Sequence, residues 1–192
     1  SLERGLRIQI ARVGRRNFEY YIEDPSYLSI SAAIGHIISF AVTENSGIVL
    51  HAAALKKNRR CSLFVGPSGA GKSTIAHSAK GVEVLHDDRV GIRCIHGKWV
   101  AFSIPQVEST GSIAKHGSAA LKNVFLIEKG KVLSTSSEIS KRDILSLFRQ
   151  TVCPIDSEDT QRACASNVLK LFSDGLVRKL TFMKDSDVSR LI

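Results

Sequence analysis

Nine consecutive residues, Gly66-Pro67-Ser68-Gly69-Ala70-Gly71-Lys72-Ser73-Thr74, combine three glycines, one ammonium and an adjacent pair of hydroxyls. They satisfy the pattern Gly-x-x-x-x-Gly-Lys-Ser/Thr at every fixed position, a match expected by chance on the order of 1% of the time in a chain this long. Glycines let a backbone close around an anion and turn several N–H groups inward. A following helix start adds a positive dipole end. Lys72 supplies a point charge suited to β and γ phosphates, and the Ser73 hydroxyl is a ligand type for Mg²⁺. A glycine-rich turn with an exposed lysine is the bland alternative. It does not explain why an apolar stretch, Cys61 to Val65, precedes the motif and a helix-competent run follows it. The residues from Gly66 to Thr74 therefore read as a P-loop for ATP with Mg²⁺.

A cradle binds nucleotide without naming the acceptor. The nearest acids follow the apolar stretch Val82 to Leu85, as His86-Asp87-Asp88. In a P-loop fold the strand after the first helix can lie beside the P-loop strand, its carboxyl end aimed at the same phosphates. Two aspartates there divide the work: one faces the metal, the other an acceptor hydroxyl. The competing reading is a polar strand-to-turn transition, where aspartate is common. His51, within Leu50-His51-Ala52-Ala53-Ala54-Leu55, taken alone reads as a core histidine.

These three features together resemble the HPr kinase/phosphorylase family, within the phosphoenolpyruvate-carboxykinase-like P-loop fold. That family also carries a His one hairpin before its P-loop and an Asp-Asp pair after the P-loop helix. Here His51 lies 21 residues before Lys72, and Asp87 and Asp88 lie 15 and 16 residues after it. The resemblance implies that Lys72 binds the transferred phosphate and that Ser73 faces Mg²⁺, and the division of work between the two aspartates then leaves Asp87 to the metal. It implies further that Asp88 is the base for an acceptor serine and that His51 stands beside the phosphates. By rough position Glu108 is a candidate for the downstream acidic metal ligand, with Glu128 a weaker one. Two departures stand out. Ser73-Thr74 replaces the family's usual Ser-Glu, and the glycine- and arginine-rich C-terminal segment of the bifunctional enzymes has no counterpart. The expected activity is therefore that of a compact, stand-alone, cytoplasmic serine kinase acting on a small protein or precursor peptide. Self-association is a further implication, since such relatives are hexameric. A small-molecule kinase of the same fold and a non-catalytic ATP-binding module are the alternatives.

Composition sets outer bounds. The chain has 192 residues, 27 Lys+Arg against 18 Asp+Glu, and a net charge of +9, which favours anionic partners. Only 6% of residues are aromatic, which argues against base stacking, and no helicase, recombinase or transporter signature occurs, so nucleic acid is not an expected partner. Cys61, Cys94, Cys153 and Cys164 contain no Cys-x-x-Cys pair and read as reduced thiols, a disulfide being the alternative. The polar start, Ser1-Leu2-Glu3-Arg4, does not read as a secretory leader. No charged residue occurs between Asp24 and Glu44, but Ser26, Ser29, Ser31, Gly35, His36 and Ser39 dilute that stretch too far for a membrane span.

The elements that must position these groups form one α/β domain over residues 1–192, with a mixed, largely antiparallel sheet. Strands are expected at 6–13 and 17–23 as a hairpin, then a buried helix over 25–43 whose face is Ile30, Ile34, Ile37, Ile38 and Ala41. Further strands are expected at 47–55, 61–65 and 82–85, and on either side of His96-Gly97. Residues 105–118 read as a mobile loop on the acceptor side. A strand or hairpin follows at 122–133. A capping box at Ser140 and Asp143 opens a short helix, a second helix spans 157–174 up to Gly175, and a last strand spans 176–182. The basic turn Lys56-Lys57-Asn58-Arg59-Arg60 reads as a solvated hairpin tip, with a docking patch as its alternative.

Overall fold

The computed structural model describes residues 8–12, 18–22, 27–104, 117–154, 157–183 and 186–192. A hairpin comes first, β1 (Ile8–Arg12) against β2 (Phe18–Ile22), then helix α1 (Tyr27–Glu44). Next are β3 (Gly47–Lys57), β4 (Arg60–Val65), the two-turn helix α2 (Lys72–Ser78) and β5 (Glu83–His86). β6 (Arg89–Ile95), β7 (Lys98–Ser103) and β8 (Ser118–Lys129) follow, then β9 (Ser134–Ser136) and helix α3 (Lys141–Arg149). The chain continues through β10 (Thr151–Val152), α4 (Glu158–Ser173) and β11 (Val177–Phe182) to a 3-10 turn over Ser189–Leu191.

Among the described residues, nine strands make one mixed sheet. β8 pairs in parallel with β4 and β11, and every other pairing is antiparallel. The neighbours β3, β6, β7, β8 and β4 form a closed circuit, because β4 pairs with β8 on one edge and β3 on the other. Strand alternation then sorts side chains between two interiors. Ile48, Leu50, Ala52 and Ala54 of β3, with Cys61, Leu63 and Val65 of β4, join Leu147 of α3 and Cys164, Val168 and Leu171 of α4. Ala53, Leu55 and Phe64 face the other way, onto Ile75 and Ala76 of α2, Phe125 and Leu180. Phe64 and Phe125 stack at 5.5 Å across the parallel β4–β8 pair. Each such fully buried side chain contributes about 1.5–3 kcal/mol.

Local chemistry sets the corners. His96 and Gly97 both adopt positive φ (48° and 75°) and turn β6 into β7 with a tight two-residue loop. The capping box of α3 is complete: the Ser140 hydroxyl accepts the Asp143 amide while the Asp143 carboxylate accepts the Ser140 amide. Gly175, at φ 68°, ends α4.

The face expected for the first helix needs correction. Helix α1 buries Ala33, Ser39, Phe40, Val42 and Thr43, whereas Ile30, Ile37 and Ala41 are exposed. The helix is apolar around most of its circumference, so spacing alone does not choose its face. Among the described residues no helix is long and apolar enough to cross a membrane. Helix α2 ends at Ser78, because Ala79 is already extended. Residues 105–116, the centre of the expected mobile loop, lie outside the described residues, and with them Glu108.

Candidate functional site

Three strand ends meet where the glycine-rich loop leaves the sheet. β4 delivers Gly66 directly after Val65, and Val65 pairs with Ala52 of β3. β5 does not lie beside β4, as the sequence suggests it can. It pairs with the far edge of β3, Ala54 opposite His86, and β4 has β3 and β8 as its neighbours. Because β3 runs antiparallel to both, β4 and β5 still release their carboxyl ends on the same side, next to His51. A hydrogen bond from the Ala52 amide to the Asp88 carbonyl (2.9 Å) fixes that approach, and the His51 amide donates to Gln150 O at 2.8 Å. β8, parallel to β4, brings its last residue, Lys129, to the same side.

The loop is shaped by its glycines. Gly71, the residue before α2, sits at φ 110°, and a Cβ there would meet Phe182 Cζ at 2.5 Å. At Gly66 a Cβ would press on Ala70 and Ile127 at 2.9 Å. Both positions need glycine, one for its dihedral and both for space. The Lys72 ammonium folds along the loop, donating to Gly66 O at 2.6 Å and Pro67 O at 3.2 Å.

An open cleft of about 400 Å³ is lined by His51, Ser68, Gly69, Gly71, Lys72, Ser73, Thr74, Asp87, Asp88 and Lys129. It gathers most of the residues singled out from sequence. Gly66, Pro67 and Ala70 complete the loop without lining the cleft. Glu128 accepts the Thr181 hydroxyl at 3.1 Å and is not among the lining residues.

His51 Nε2 lies 3.2 Å from Asp88 Oδ1, and Arg89 Nε lies 3.9 Å from Asp88 Oδ2. Burial pushes the His51 pKa below its usual value. The Asp88 carboxylate opposes this, while the Lys72 and Arg89 cations add to it. A neutral His51 bonded to a carboxylate must carry its proton on Nε2, since the carboxylate only accepts. Burial likewise pulls the Lys72 ammonium below its usual value, against the pull of Asp88.

Three contributors carry no role in the motifs read from the sequence. Lys129 carries a cation into the cleft. Its only sequence signal is a charge two positions beyond the apolar run Val124 to Ile127, after Glu128, and nothing local says that this run lies beside β4. Arg89 sits beside Asp88, and Gly35 of α1 makes room for it: a Cβ on Gly35 would lie 2.9 Å from Arg89 Nη1. His86 is 2% exposed, and its Nδ1 accepts the amides of Asp88 (3.2 Å) and Arg89 (3.3 Å), which pins the turn carrying the aspartates.

Donor chemistry tests the implied metal. Ser73 offers a hydroxyl, Asp87 and Asp88 carboxylates, all hard oxygens. Among the described residues no group of three or more His, Cys, Asp or Glu side chains gathers. That set suits Mg²⁺, which takes one or two carboxylates and keeps the rest of its shell for water and phosphate oxygens, better than a cation needing a full protein cage.

No family model matches the chain, and no curated protein sequence matches it. Among solved structures it is similar to the Hpr(Ser) kinase/phosphatase from Coxiella burnetii, at 12% identity and a TM-score of 0.38, over 70% of this chain and 85% of that one.

Proposed function

We propose that the protein is an ATP- and Mg²⁺-dependent kinase that transfers the γ-phosphoryl group to a serine hydroxyl of a small protein or peptide. The observation that supports this best is the convergence of the loop cation Lys72, the His51–Asp88 pair and Asp87 on one open cleft. Phosphoryl transfer proceeds through a loose transition state, so catalysis is chiefly positioning and charge neutralisation. The cleft has parts for both.

The amides of the loop and the Lys72 ammonium hold the phosphate chain and neutralise its charge. Ser73 and Asp87 would hold the cation. Mg-ATP, when bound, supplies the transferable phosphoryl group and a divalent positive charge. Asp88 takes the proton from the acceptor hydroxyl as its oxygen bonds the γ-phosphorus, while the bond to the β-phosphate oxygen breaks and ADP leaves with that electron pair. His51 donates Nε2–H to Asp88 Oδ1 and so orients the carboxylate, with Arg89 Nε 3.9 Å from Oδ2. Lys129 adds charge at the rim of the same cleft. Helix α2 has only seven residues, so the loop amides and Lys72 contribute more than its dipole.

Transfer of labelled phosphate from ATP into serine-containing peptides tests this reading, with Asp88→Ala and Lys72→Ala as variants. Asp88→Ala should retain nucleotide binding and lose transfer by about 10²–10⁴-fold. Lys72→Ala should weaken nucleotide binding itself. Transfer by Asp88→Ala at the rate of the parent protein would rule out Asp88 as the base.

A further inference from the structure

The basic turn after β3 is not a free hairpin tip. Asn58, at φ 58°, and Arg59 reverse the chain between β3 and β4, and the segment from Ser186 to Ile192 packs against the result. Lys57 Nζ donates to Ser189 O at 3.4 Å, the Ser62 hydroxyl to Leu191 O at 3.2 Å, and Lys122 Nζ to Ile192 O at 3.1 Å. Val188 and Ile192 are buried beneath these bonds in the same cluster as Leu55 and Phe64. Turn and terminal segment thus form two fixed walls of a cleft of about 500 Å³.

The charged side chains that line it are all of one sign. Lys57, Arg59, Arg60 and Arg190 line it, with no carboxylate side chain among the lining residues. All four are exposed, and no described residue forms an ion pair with Arg59, Arg60 or Arg190. Arg190 does act on the Asp187 carboxyl, which is held below the carboxylate range chiefly by its bond from Ser189, but Asp187 does not line the cleft. Concentrating four like charges between two walls costs self-repulsion that an anionic partner relieves.

We propose that this cleft docks an acidic segment of a protein partner. Charge complementarity identifies the occupant. The cations stand on long, exposed stems spread over two chain segments, which fits a run of Asp and Glu side chains better than one compact anion. No aromatic residue lines the cleft, so it lacks the stacking surface of a single-strand nucleic-acid site. This inference goes beyond the kinase reading and stands without it. β4 begins at Arg60 and ends at Val65, so the two clefts lie at opposite ends of one strand, ~17 Å apart at strand rise. On the kinase reading, a docked segment would tether a protein substrate remote from its phosphorylated serine and raise that serine's effective concentration.

Fluorescence anisotropy with a labelled oligoglutamate peptide tests the proposal. The parent protein should bind it, with affinity that falls as salt rises. Arg59→Glu/Arg60→Glu should weaken binding by roughly tenfold or more, since like charges then face the peptide. The matched reversal Lys141→Glu/Arg142→Glu on α3, also exposed, should leave binding unchanged, as should Lys72→Ala. An unaltered melting temperature confirms that the variants fold. Equal weakening by both double reversals would reduce the effect to net charge and overturn the proposal. Loss in Lys72→Ala alone would place the peptide in the other cleft and also overturn it. Tighter binding of an oligothymidylate than of the peptide, abolished by Arg59→Glu/Arg60→Glu, would make the cleft a nucleic-acid surface instead.

Discussion

His51 Nε2 and Asp88 Oδ1 stand 3.2 Å apart although 37 residues separate them, and the contact ties the middle of β3 to the turn that follows β5. A hydrogen bond to a charged group is worth about 1.5–3 kcal/mol, so His51→Ala should lower phosphoryl transfer by about ten- to hundredfold. His51→Gln keeps an N–H donor near the same place and should recover part of the loss. Equal loss in both variants would show that the ring acts other than as a donor to Asp88.

The same histidine gives a pH dependence of stability. Its folded-state pKa lies below the usual 6.5. Between that lowered value and 6.5 the unfolded chain binds more protons than the folded one, so stability rises with pH across this window. It is complete above 6.5 and is lost as the pH falls through the window. The side chain is 41% exposed, which keeps the effect small. Urea midpoints measured across the acid range should show the slope, and His51→Gln should flatten it.

Gly71→Ala meets two penalties at once. An alanine at φ 110° is strained by about 1–3 kcal/mol, and its Cβ would collide with the Phe182 ring. Thermal unfolding should register a loss larger than the strain alone. In the background of Phe182→Leu the collision is relieved but the dihedral is not, so the alanine should cost less there. Additive losses in that double-mutant cycle would deny the contact.

His86 acts on Asp88 through the backbone. His86→Ala removes the acceptor of two amides and leaves a void at a site only 2% exposed, a loss of about 1–3 kcal/mol for the unpaired donors alone. His86→Asn places an oxygen near the position of Nδ1 and should restore part of both stability and transfer. An asparagine variant no better than alanine would show that the ring serves only as packing.

All four cysteines are free thiols. Burial pushes the Cys61 and Cys164 thiols up to about 12, whereas Cys94 and Cys153 are partly exposed. Alkylation of the native protein followed by mass mapping should therefore modify Cys94 and Cys153 first. Cys61 and Cys164 should react only after denaturant is added.

Short-range physics made part of this molecule legible in its sequence. The glycine pattern before Lys72, the His96-Gly97 turn, the Ser140–Asp143 capping box and the Gly175 stop each depend on groups a few residues apart, and all appear where the residues place them. Side-chain period likewise marks most strands. What it cannot supply is which strand meets which edge. β5 pairs with β3 instead of lying beside β4, yet delivers Asp87 and Asp88 to the same cleft, because two strands antiparallel to a common neighbour share their direction. Arg89 and His86 join the site through that pairing, and Lys129 joins it through the parallel pairing of β8 with β4. The exposed face of α1 and the second wall of the basic cleft were decided the same way, by long-range packing of surfaces whose local pattern is compatible with more than one partner.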